Sequence, residues 1–456
     1  MDEQKEKPNK CLMCDRETHN NLKYCIFHAK AEEKKEDDFI KKLKEYINIQ
    51  EEDKHYNFKY FIFIGNLNFK KDLNINILEN ADFEGATFLG TVDFEGVTFK
   101  EYIGFRKTCF KKDLIFAKNI SQGTVNLEEI TFQGNADFKE ATFQGIVEFE
   151  EITFQGNADF EGAIFEKDVN FNKITFRGNA DFEKVTFRGD TDFQINYLVK
   201  DINFSKINIL YGKKLFLKID NNKGDIYFER ACLENVYLDI DLSSGISIDF
   251  TDVLLNNTKL EKEKIENHIL QEEKKEFSKA KQVYLLLKNN FHIIGRYDDE
   301  SWAFIKERDM DRKNNCHFKS LYKWLWSCFL NGIYGYGEKP ERVFLSAVLV
   351  ILIFTCVFMN CGIAPPVLDN LPNYNILKEL SMGILYGDLL NKYKAIPREQ
   401  VIESLYFSTV TFTTLGLGDF KPINNKGRIY VGLEAFTGAF MMALFVYTFA
   451  RRTGGR

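Results

Sequence analysis

Two pairs of potential metal ligands lie near the start of the sequence. Two residues separate Cys11 from Cys14, and two separate Cys25 from His28. Two such chelating pairs are what a tetrahedral zinc site needs, and four protein ligands leave no open position for a substrate. Residues 1–30 are therefore predicted to form a small motif that binds a structural Zn²⁺ ion. The alternative is a set of unrelated reduced thiols.

A second group of residues could act through its backbone. The segment from Thr413 to Asp419 reads Thr-Thr-Leu-Gly-Leu-Gly-Asp and lies between two long apolar stretches. Glycine adopts backbone conformations that other residues avoid, so the carbonyl oxygens of such a segment can point to one side. A ring of carbonyls can replace the water shell of a cation. The alternative is a glycine-rich external loop between two anchor helices.

The two apolar stretches predict membrane spans at residues 343–363 and 429–450. The first contains no charged side chain, and the second contains one ionisable residue, Glu434. Each is long enough to cross a bilayer as a helix. Basic residues such as Arg342 and Arg451 lie at the two outer flanks. This distribution predicts that both termini are cytoplasmic and that the intervening loop is external.

A shorter helix is predicted just before the glycine-containing segment. Pro397 suits the first turn of a helix, and Glu399 and Glu403 near the same end complement the helix dipole. A helix from there to Phe412 is roughly 20 Å long, which is too short to cross a bilayer. It would direct its negative end at the middle of the membrane, where a cation would be held. Non-helical backbone beyond it is tolerable only where it lines a water-filled path.

With these elements around it, the string SLYFSTVTFTTLGLGDF resembles the pore of the two-transmembrane potassium channels. The resemblance extends over roughly residues 343–450, with residues 397–419 as pore helix and selectivity filter. One chain supplies one filter loop and a carbonyl ring needs four, so a homotetramer in the lipid bilayer is expected to conduct K⁺. The resemblance implies that the filter residues are Thr414, Leu415, Gly416, Leu417, Gly418 and Asp419.

One filter residue departs from that family. Leu417 stands where the family usually has Tyr, whose hydroxyl helps to brace the filter from behind. The ion-facing carbonyls belong to the backbone, so the leucine need not destroy selectivity. We therefore expect a potassium-selective pore, with a weakly selective cation pore as the alternative.

Two residues of the second predicted span are further candidates. Gly438 lies twenty residues after Gly418, where the same family has the hinge glycine of its inner helix. Close helix packing is the alternative role for this glycine. Glu434 lies one turn before Gly438, and an ionisable residue within a span indicates function. This carboxyl group could attract cations from a pore-facing position or brace the filter from behind through hydrogen bonds.

An internal repeat occupies much of the chain before the spans. Phe recurs in alternating steps of five and six residues, and the residue two positions earlier is small or aliphatic, as in Ala81 and Val92. One apolar pair per step predicts a solenoid whose coils share a core. Units such as ADFEGATFLGT resemble pentapeptide-repeat proteins, which implies a four-sided right-handed β-helix, here with about 22 residues per coil, over residues 61–260.

Composition excludes several classes of protein. A net charge of −6 and a pI of about 5.8 give no support for nucleic-acid binding. Nine scattered cysteines show no disulfide framework, and the N-terminus has no apolar secretory signal. The soluble part is expected in a reducing cytosol and the spans in the plasma (inner) membrane. No phosphate-binding loop or nucleotide fingerprint is present, and we expect no enzyme activity.

The remaining segments are predicted to connect these parts. They comprise a charged helical linker at 31–60, a cytosolic helical linker at 261–315 and an interfacial amphipathic helix at 316–336. The expected fold class is a multidomain membrane protein, with a right-handed quadrilateral β-helix, a helical linker and an all-α two-transmembrane potassium-channel-like pore. The expected function is a homotetrameric cation channel, regulated through an unknown cytosolic ligand or protein of the β-helix. A membrane-anchored scaffold without conduction is the alternative, and DNA mimicry is a further alternative use of the acidic repeat surface.

Overall fold

The computed structural model of the protein describes residues 10–20, 23–50, 54–315, 321–364 and 398–453. The chain divides into two compact units, Met1–Asp311 and Arg312–Arg456. Parts of five predictions lie outside the described residues: 1–9 and 21–22 of the zinc motif, 51–53 of the charged linker, 316–320 of the interfacial helix, 365–397 of the external loop, and Pro397 of the pore helix.

The first unit is a parallel β-solenoid, as the Phe rhythm predicts. One sheet has nine strands among the described residues, all paired in parallel. Ala136 pairs with Ala158 and Ala158 with Ala180, so these coils contain 22 residues each, as expected. The nine strands are Leu67–Asn68, Val92–Asp93, Leu114–Ile115, Ala136–Asp137, Ala158–Asp159, Ala180–Asp181, Ile202–Asn203, Ile226–Tyr227 and Ile248–Asp249.

The other faces of the solenoid form a second, nineteen-stranded parallel sheet within the described part of the chain. Its strands are His55–Asn57, Ile62–Phe63, Ile77–Asp82, Thr87–Phe88, Thr98–Gly104, Cys109–Phe110, Ile120–Ser121, Thr124–Asn126, Thr131–Phe132, Thr142–Phe143, Val147–Glu150, Thr153–Phe154, Ile164–Phe165, Val169–Phe176, Thr186–Phe187, Thr191–Leu198, Asn208–Ile209, Lys214–Asn222 and Tyr237–Leu242. Successive coils thus satisfy each other's backbone groups, and the stack needs no partner along its length.

The phenylalanines form stacked columns inside the solenoid. The ring centroids of Phe138 and Phe160 are 4.7 Å apart, as are those of Phe160 and Phe182, and the ring planes in both pairs are almost parallel. This spacing equals the distance between neighbouring strands, so one ring per coil stacks on the ring below it. The Phe repeat is therefore core, and each ring supplies both apolar burial and stacking.

The alternation of five- and six-residue steps has a backbone cause. Corner residues on the five-residue steps have a positive φ, including Lys107 at 58° and Lys118 at 55°. Most of the six-residue steps carry a glycine close to the preceding coil, and a Cβ on Gly156 would collide with the carbonyl of Gly134. The rhythm therefore records two kinds of corner, one with a left-handed residue and one that is most often a glycine packed on the coil before it.

One coil departs from the repeat. Ser121 occupies the core position that Phe99 and Phe143 hold in the neighbouring coils. The Phe116 ring fills the space and stacks 5.2 Å from Phe99 and 6.2 Å from Phe143. Asn119 beside it is fully buried, and its side-chain amide has no hydrogen-bond partner among the described residues. This coil therefore contains an unsatisfied polar group in an apolar core.

Elements at the two ends of the solenoid cover its core. At the N-terminal end, helix α1 (Glu36–Gln50) buries Phe39 and Tyr46, and the ring of Phe27 stacks 4.5 Å from that of Phe61. A 3₁₀ turn, Ala31–Glu33, precedes α1. The segment predicted as a charged linker therefore contains a helix that packs on the first coil. Capping of this kind is what solenoids require at their termini.

The C-terminal end of the solenoid is covered by helices. A 3₁₀ turn, Lys262–Lys264, is followed by α2 (Leu270–Glu273), α3 (Phe277–Ile293) and α4 (Tyr297–Asn314). Asn290 of α3 is fully buried; its side chain accepts a hydrogen bond from the amide of Thr258 at 2.9 Å and donates one to the carbonyl of Thr258 at 2.8 Å. The asparagine thus pairs with backbone that a further coil would otherwise bond.

The second unit is helical. It comprises α5 (Leu321–Tyr334), a 3₁₀ turn (Gly335–Gly337), α6 (Pro340–Cys361), α7 (Arg398–Phe412) and α8 (Asn425–Thr453), with a short antiparallel pair of strands, Ile363–Ala364 and Lys421–Pro422. In the described part of the chain α6 and α8 are long and apolar enough to cross a membrane, as predicted. Both helices begin a few residues before the predicted apolar runs.

Candidate metal centre and ion-conduction site

The four predicted metal ligands lie together. Sγ of Cys14 is 3.7 Å from Sγ of Cys25, and Nδ1 of His28 is 3.3 Å from Sγ of Cys25 and 3.5 Å from Sγ of Cys11. All four ligand atoms lie within 4.8 Å of one another. A tetrahedral zinc ion with ordinary bond lengths separates its ligands by about 3.5–3.8 Å. The cluster could therefore hold a metal ion.

The surroundings of the cluster orient its histidine. Nε2 of His28 is 3.2 Å from the carbonyl oxygen of Lys59, which leaves Nδ1 directed at the three sulfurs. Burial lowers the pKa of His28, so its imidazole is neutral at pH 7, as a metal ligand requires. Burial also raises the pKa of the Cys25 thiol to about 12. A bound cation would offset that effect by stabilising the thiolate.

A buried lysine connects the segment that carries the four metal ligands to the solenoid. Nζ of Lys34 donates to the carbonyl of Ile26 at 2.9 Å and to that of Ile62 at 2.6 Å. Burial lowers the pKa of Lys34 to about 8. Ile26 lies between two ligands in the sequence and Ile62 belongs to the first coil, so the metal loop and the solenoid share one set of contacts.

The predicted filter has an alternating backbone. φ is 58° at Thr414, 54° at Gly416 and 76° at Gly418, whereas neither intervening leucine has a positive φ. Glycine accepts a positive φ without strain, and a threonine in this region is uncommon. The segment follows directly after α7, so its carbonyls begin where the helix dipole is negative. This is the kind of backbone that can present a series of carbonyls to a cation.

Asp419 at the end of this segment is tied back to α7. The Tyr406 hydroxyl donates to Oδ2 of Asp419 at 2.6 Å. The bond links the middle of α7 to the end of the filter segment, so it restrains the residues between them. Sequence reasoning did not identify Tyr406, because its contact with a residue thirteen positions later depends on how the chain returns after Phe412.

Glu434 faces the protein interior. Glu434 is 0% exposed in the single chain, and its Oε1 is hydrogen-bonded to Oγ of Ser408 on α7. Oγ of Ser408 also lies 3.0 Å from the carbonyl oxygen of Ile351 on α6. Of the two roles considered for this carboxyl group, these contacts correspond to the one behind the filter. Ser408, which sequence reasoning missed, connects all three helices.

Gly438 lies against the end of α7. A Cβ at this position would collide with the carbonyl oxygen of Phe412, the last residue of that helix. The absence of a side chain therefore lets α8 approach the backbone just before the filter. This geometry is that of close helix packing. The hinge role of Gly438 stays a prediction.

Comparisons with known families agree with both units. A family model described as pentapeptide repeats (9 copies) matches residues 74–118 and 127–175. A family model described as an ion channel matches residues 380–454. The chain contains a pentapeptide-repeat β-solenoid domain and an ion channel domain. Searches of curated proteins and of solved structures found no match.

The ion channel domain and the two candidate spans of the chain indicate a membrane protein. Such a domain suggests a cation channel and is consistent with a transport protein rather than an enzyme. The match includes the candidate filter, Glu434 and Gly438. It also includes Tyr406 and Ser408, which the structure adds to the site.

The C-terminal end of α8 is held by ion pairs. Arg451 lies 2.7 Å from Glu338, whose side chain is 2% exposed. Arg452 and Glu341 form a longer, exposed pair of 3.4 Å. A Cβ at Gly337, where φ is 92°, would lie 3.3 Å from the Arg451 guanidinium. The turn between α5 and α6 is therefore shaped around the end of α8.

Helix α5 of the second unit carries an exposed apolar face. Tyr322, Trp326 and Phe329 recur at helical spacing and are all more than half exposed. Aromatic side chains of this kind suit the boundary between lipid and water. This face supports the prediction that the helix lies in the membrane interface, which stays a prediction.

Proposed function

We propose that the protein is a tetrameric, potassium-selective cation channel of the inner membrane with both termini in the cytoplasm. The observation that carries the proposal is the alternating φ of Thr414, Gly416 and Gly418 at the end of a half-spanning helix. Selectivity in such a site comes from backbone carbonyls, so the Leu417 side chain need not contact the ion. The β-solenoid would act on the pore through a cytosolic ligand or protein.

Exposed apolar side chains support the tetramer. Leu415 and Leu417 are 68% and 65% exposed in the single chain, although they flank a glycine at the filter. Phe436 and Phe440 on α8 are 76% and 58% exposed. Four copies around a central axis would bury the leucines behind the carbonyl ring. Native mass spectrometry of the detergent-solubilised protein should give four chains, and a monomer would contradict the proposal.

Conduction is tested by potassium flux from liposomes that contain the purified protein. Alanine at the left-handed Gly416 costs about 1–2 kcal/mol of backbone strain, so Gly416→Ala should lower the flux roughly tenfold or more. Gly432→Ala is the matched control, because nothing lies within 4 Å of its added Cβ. The control should conduct like the wild type. No flux from the wild type would favour the scaffold alternative, and equal flux from the wild type and Gly416→Ala would contradict conduction through this filter.

We also propose that Cys11, Cys14, Cys25 and His28 hold a structural Zn²⁺ ion that stabilises the N-terminal cap. The tetrahedral spacing of the ligand atoms and the contact of His28 with Lys59 support this role. Purified wild-type protein should contain one zinc per chain by elemental analysis, and the Cys25→Ser variant should contain almost none. Cys232→Ser, a change in the solenoid, should keep its zinc; equal zinc content in all three proteins would contradict the site.

A further inference from the structure

A buried chain of hydrogen-bonding groups joins the three helices of the channel domain. It runs from the carboxyl group of Glu434 on α8 to the hydroxyl of Ser408 on α7 and on to the carbonyl oxygen of Ile351 on α6. Glu434 and Ser408 are both 0% exposed in a single chain. Water and neighbouring subunits therefore do not reach these groups directly, and the contacts within the chain decide their chemistry.

The number of protons available to these hydrogen-bonding groups decides whether the Glu434 carboxyl group is protonated. A serine hydroxyl has one proton to donate, and a backbone carbonyl can only accept. If Ser408 donates to Ile351, the short contact between Ser408 and Glu434 requires the carboxyl group to donate. If Ser408 donates to Glu434 instead, the carbonyl contact of 3.0 Å has no proton. Both contacts are hydrogen bonds only when Oε1 of Glu434 carries a proton.

The burial of Glu434 also favours the protonated form of its carboxyl group. No lysine, arginine or histidine forms an ion pair with it in the described part of the chain, and its Oε2 has no hydrogen-bond partner there. An unpaired buried carboxylate costs several kcal/mol, whereas a neutral carboxylic acid costs far less. A charge in this position would also have no water to solvate it within the membrane.

We propose that Glu434 is held as a neutral carboxylic acid that donates a hydrogen bond to Ser408, and that Ser408 passes this restraint to Ile351. Glu434 is thus a positioning residue: it fixes α7, which carries the filter at its C-terminal end, between the two spans. It does not attract cations into the pore. The proposal rests on the proposed conduction for its functional consequence, but the protonation state can be measured without any flux.

The direct test is infrared spectroscopy of the reconstituted full-length protein near pH 7. The carbonyl band of a protonated carboxylic acid is separate from the bands of carboxylates. This band should be present in the wild type and lost in Glu434→Gln. Ser408→Ala should shift it to higher frequency, because its hydrogen bond is removed. Thr437→Ala, a change on α8 where the hydroxyl bonds only its own helix, should leave it unchanged.

Flux measurements give the second test. Glutamine is neutral, has nearly the shape of glutamic acid and can donate through its amide, so Glu434→Gln should conduct within about twofold of the wild type. Glu434→Ala removes the donor and should lower the flux roughly fivefold or more. A carboxylate that attracts cations would instead make Gln as harmful as Ala.

The infrared and flux measurements distinguish a failure of the inference about Glu434 from a failure of the proposed conduction. No band that Glu434→Gln removes, or a band that Ser408→Ala leaves in place, would overturn the inference even if the protein conducts. Equal loss of flux in the Gln and Ala variants would do so as well. Absence of flux from the wild type would contradict the proposed function, while the infrared band would still decide the state of Glu434.

Discussion

Close helix packing and hinge bending, the two roles considered for Gly438, predict different effects of an alanine substitution. An added methyl group would press on the Phe412 carbonyl at the base of the filter. Gly438→Ala should therefore lower conductance and weaken ion preference, with the potassium-to-sodium permeability ratio reduced several-fold. The measurement is single-channel recording with Gly432→Ala as the control on the same helix. A hinge would instead change the open probability and leave the permeability ratio as it is.

At the residue scale, sequence reasoning found groups whose spacing is itself the signal. Cys11, Cys14, Cys25 and His28 come together as their local spacing predicts. Tyr406 and Ser408 were not identified, since their partners Asp419 and Glu434 are reached only through the tertiary arrangement of α7 and α8. A hydroxyl in an apolar helix has no periodic pattern that reveals its partner.

At the element scale, the fold of the solenoid follows from its repeat because every step places one ring in one core. The exception was not foreseen. Phe116 moves into the column that Ser121 interrupts, and this exchange depends on which neighbouring ring can reach the gap. The helices that cap the two ends were also predicted only as connecting segments, since their amphipathic pattern does not say which surface they cover.

The interrupted coil makes a stability prediction. Asn119 occupies a slot that holds Ala141 in the next coil, and its amide has no partner among the described residues. Asn119→Ala should therefore raise the free energy of unfolding by about 1–3 kcal/mol. Calorimetry of the full-length protein in detergent should show the β-solenoid transition at a higher temperature. The reciprocal change, Ala141→Asn, should lower this transition temperature. An unchanged or lower transition temperature in Asn119→Ala would contradict the claim that the buried Asn119 amide is destabilising.

The turn before the first span makes a second prediction at this scale. Glu338→Gln removes the charge that faces Arg451 in a buried pair, and should destabilise the channel domain by about 1–3 kcal/mol. Glu341→Gln is the matched control, because its pair with Arg452 is exposed and worth about 0–1 kcal/mol. Thermal unfolding in detergent should separate the two variants. Equal midpoints would show that the buried pair does not hold the end of α8.

At the scale of the whole molecule, the chain combines a β-solenoid with an ion channel domain, which would supply one quarter of the pore in the proposed tetramer. The exposed leucines beside the filter and the exposed face of α8 indicate surfaces that a single chain leaves uncovered. Sequence reasoning predicts the tetramer from the number of filter loops that a carbonyl ring needs, and that number remains the physical reason for proposing it. The ligand of the solenoid cannot be identified from the repeat or from the pore, because the outer surface of the solenoid carries scattered charges rather than a recognisable binding motif.

The central claim is that four TLGLGD loops select potassium although each lacks the usual tyrosine. The most direct measurement is the reversal potential of the reconstituted wild-type protein, with K⁺ on one side of the bilayer and Na⁺ at equal concentration on the other. The account predicts a reversal at least about 59 mV from zero in the direction of potassium, which corresponds to a preference of tenfold or more. A reversal near zero would contradict it and leave a weakly selective cation pore.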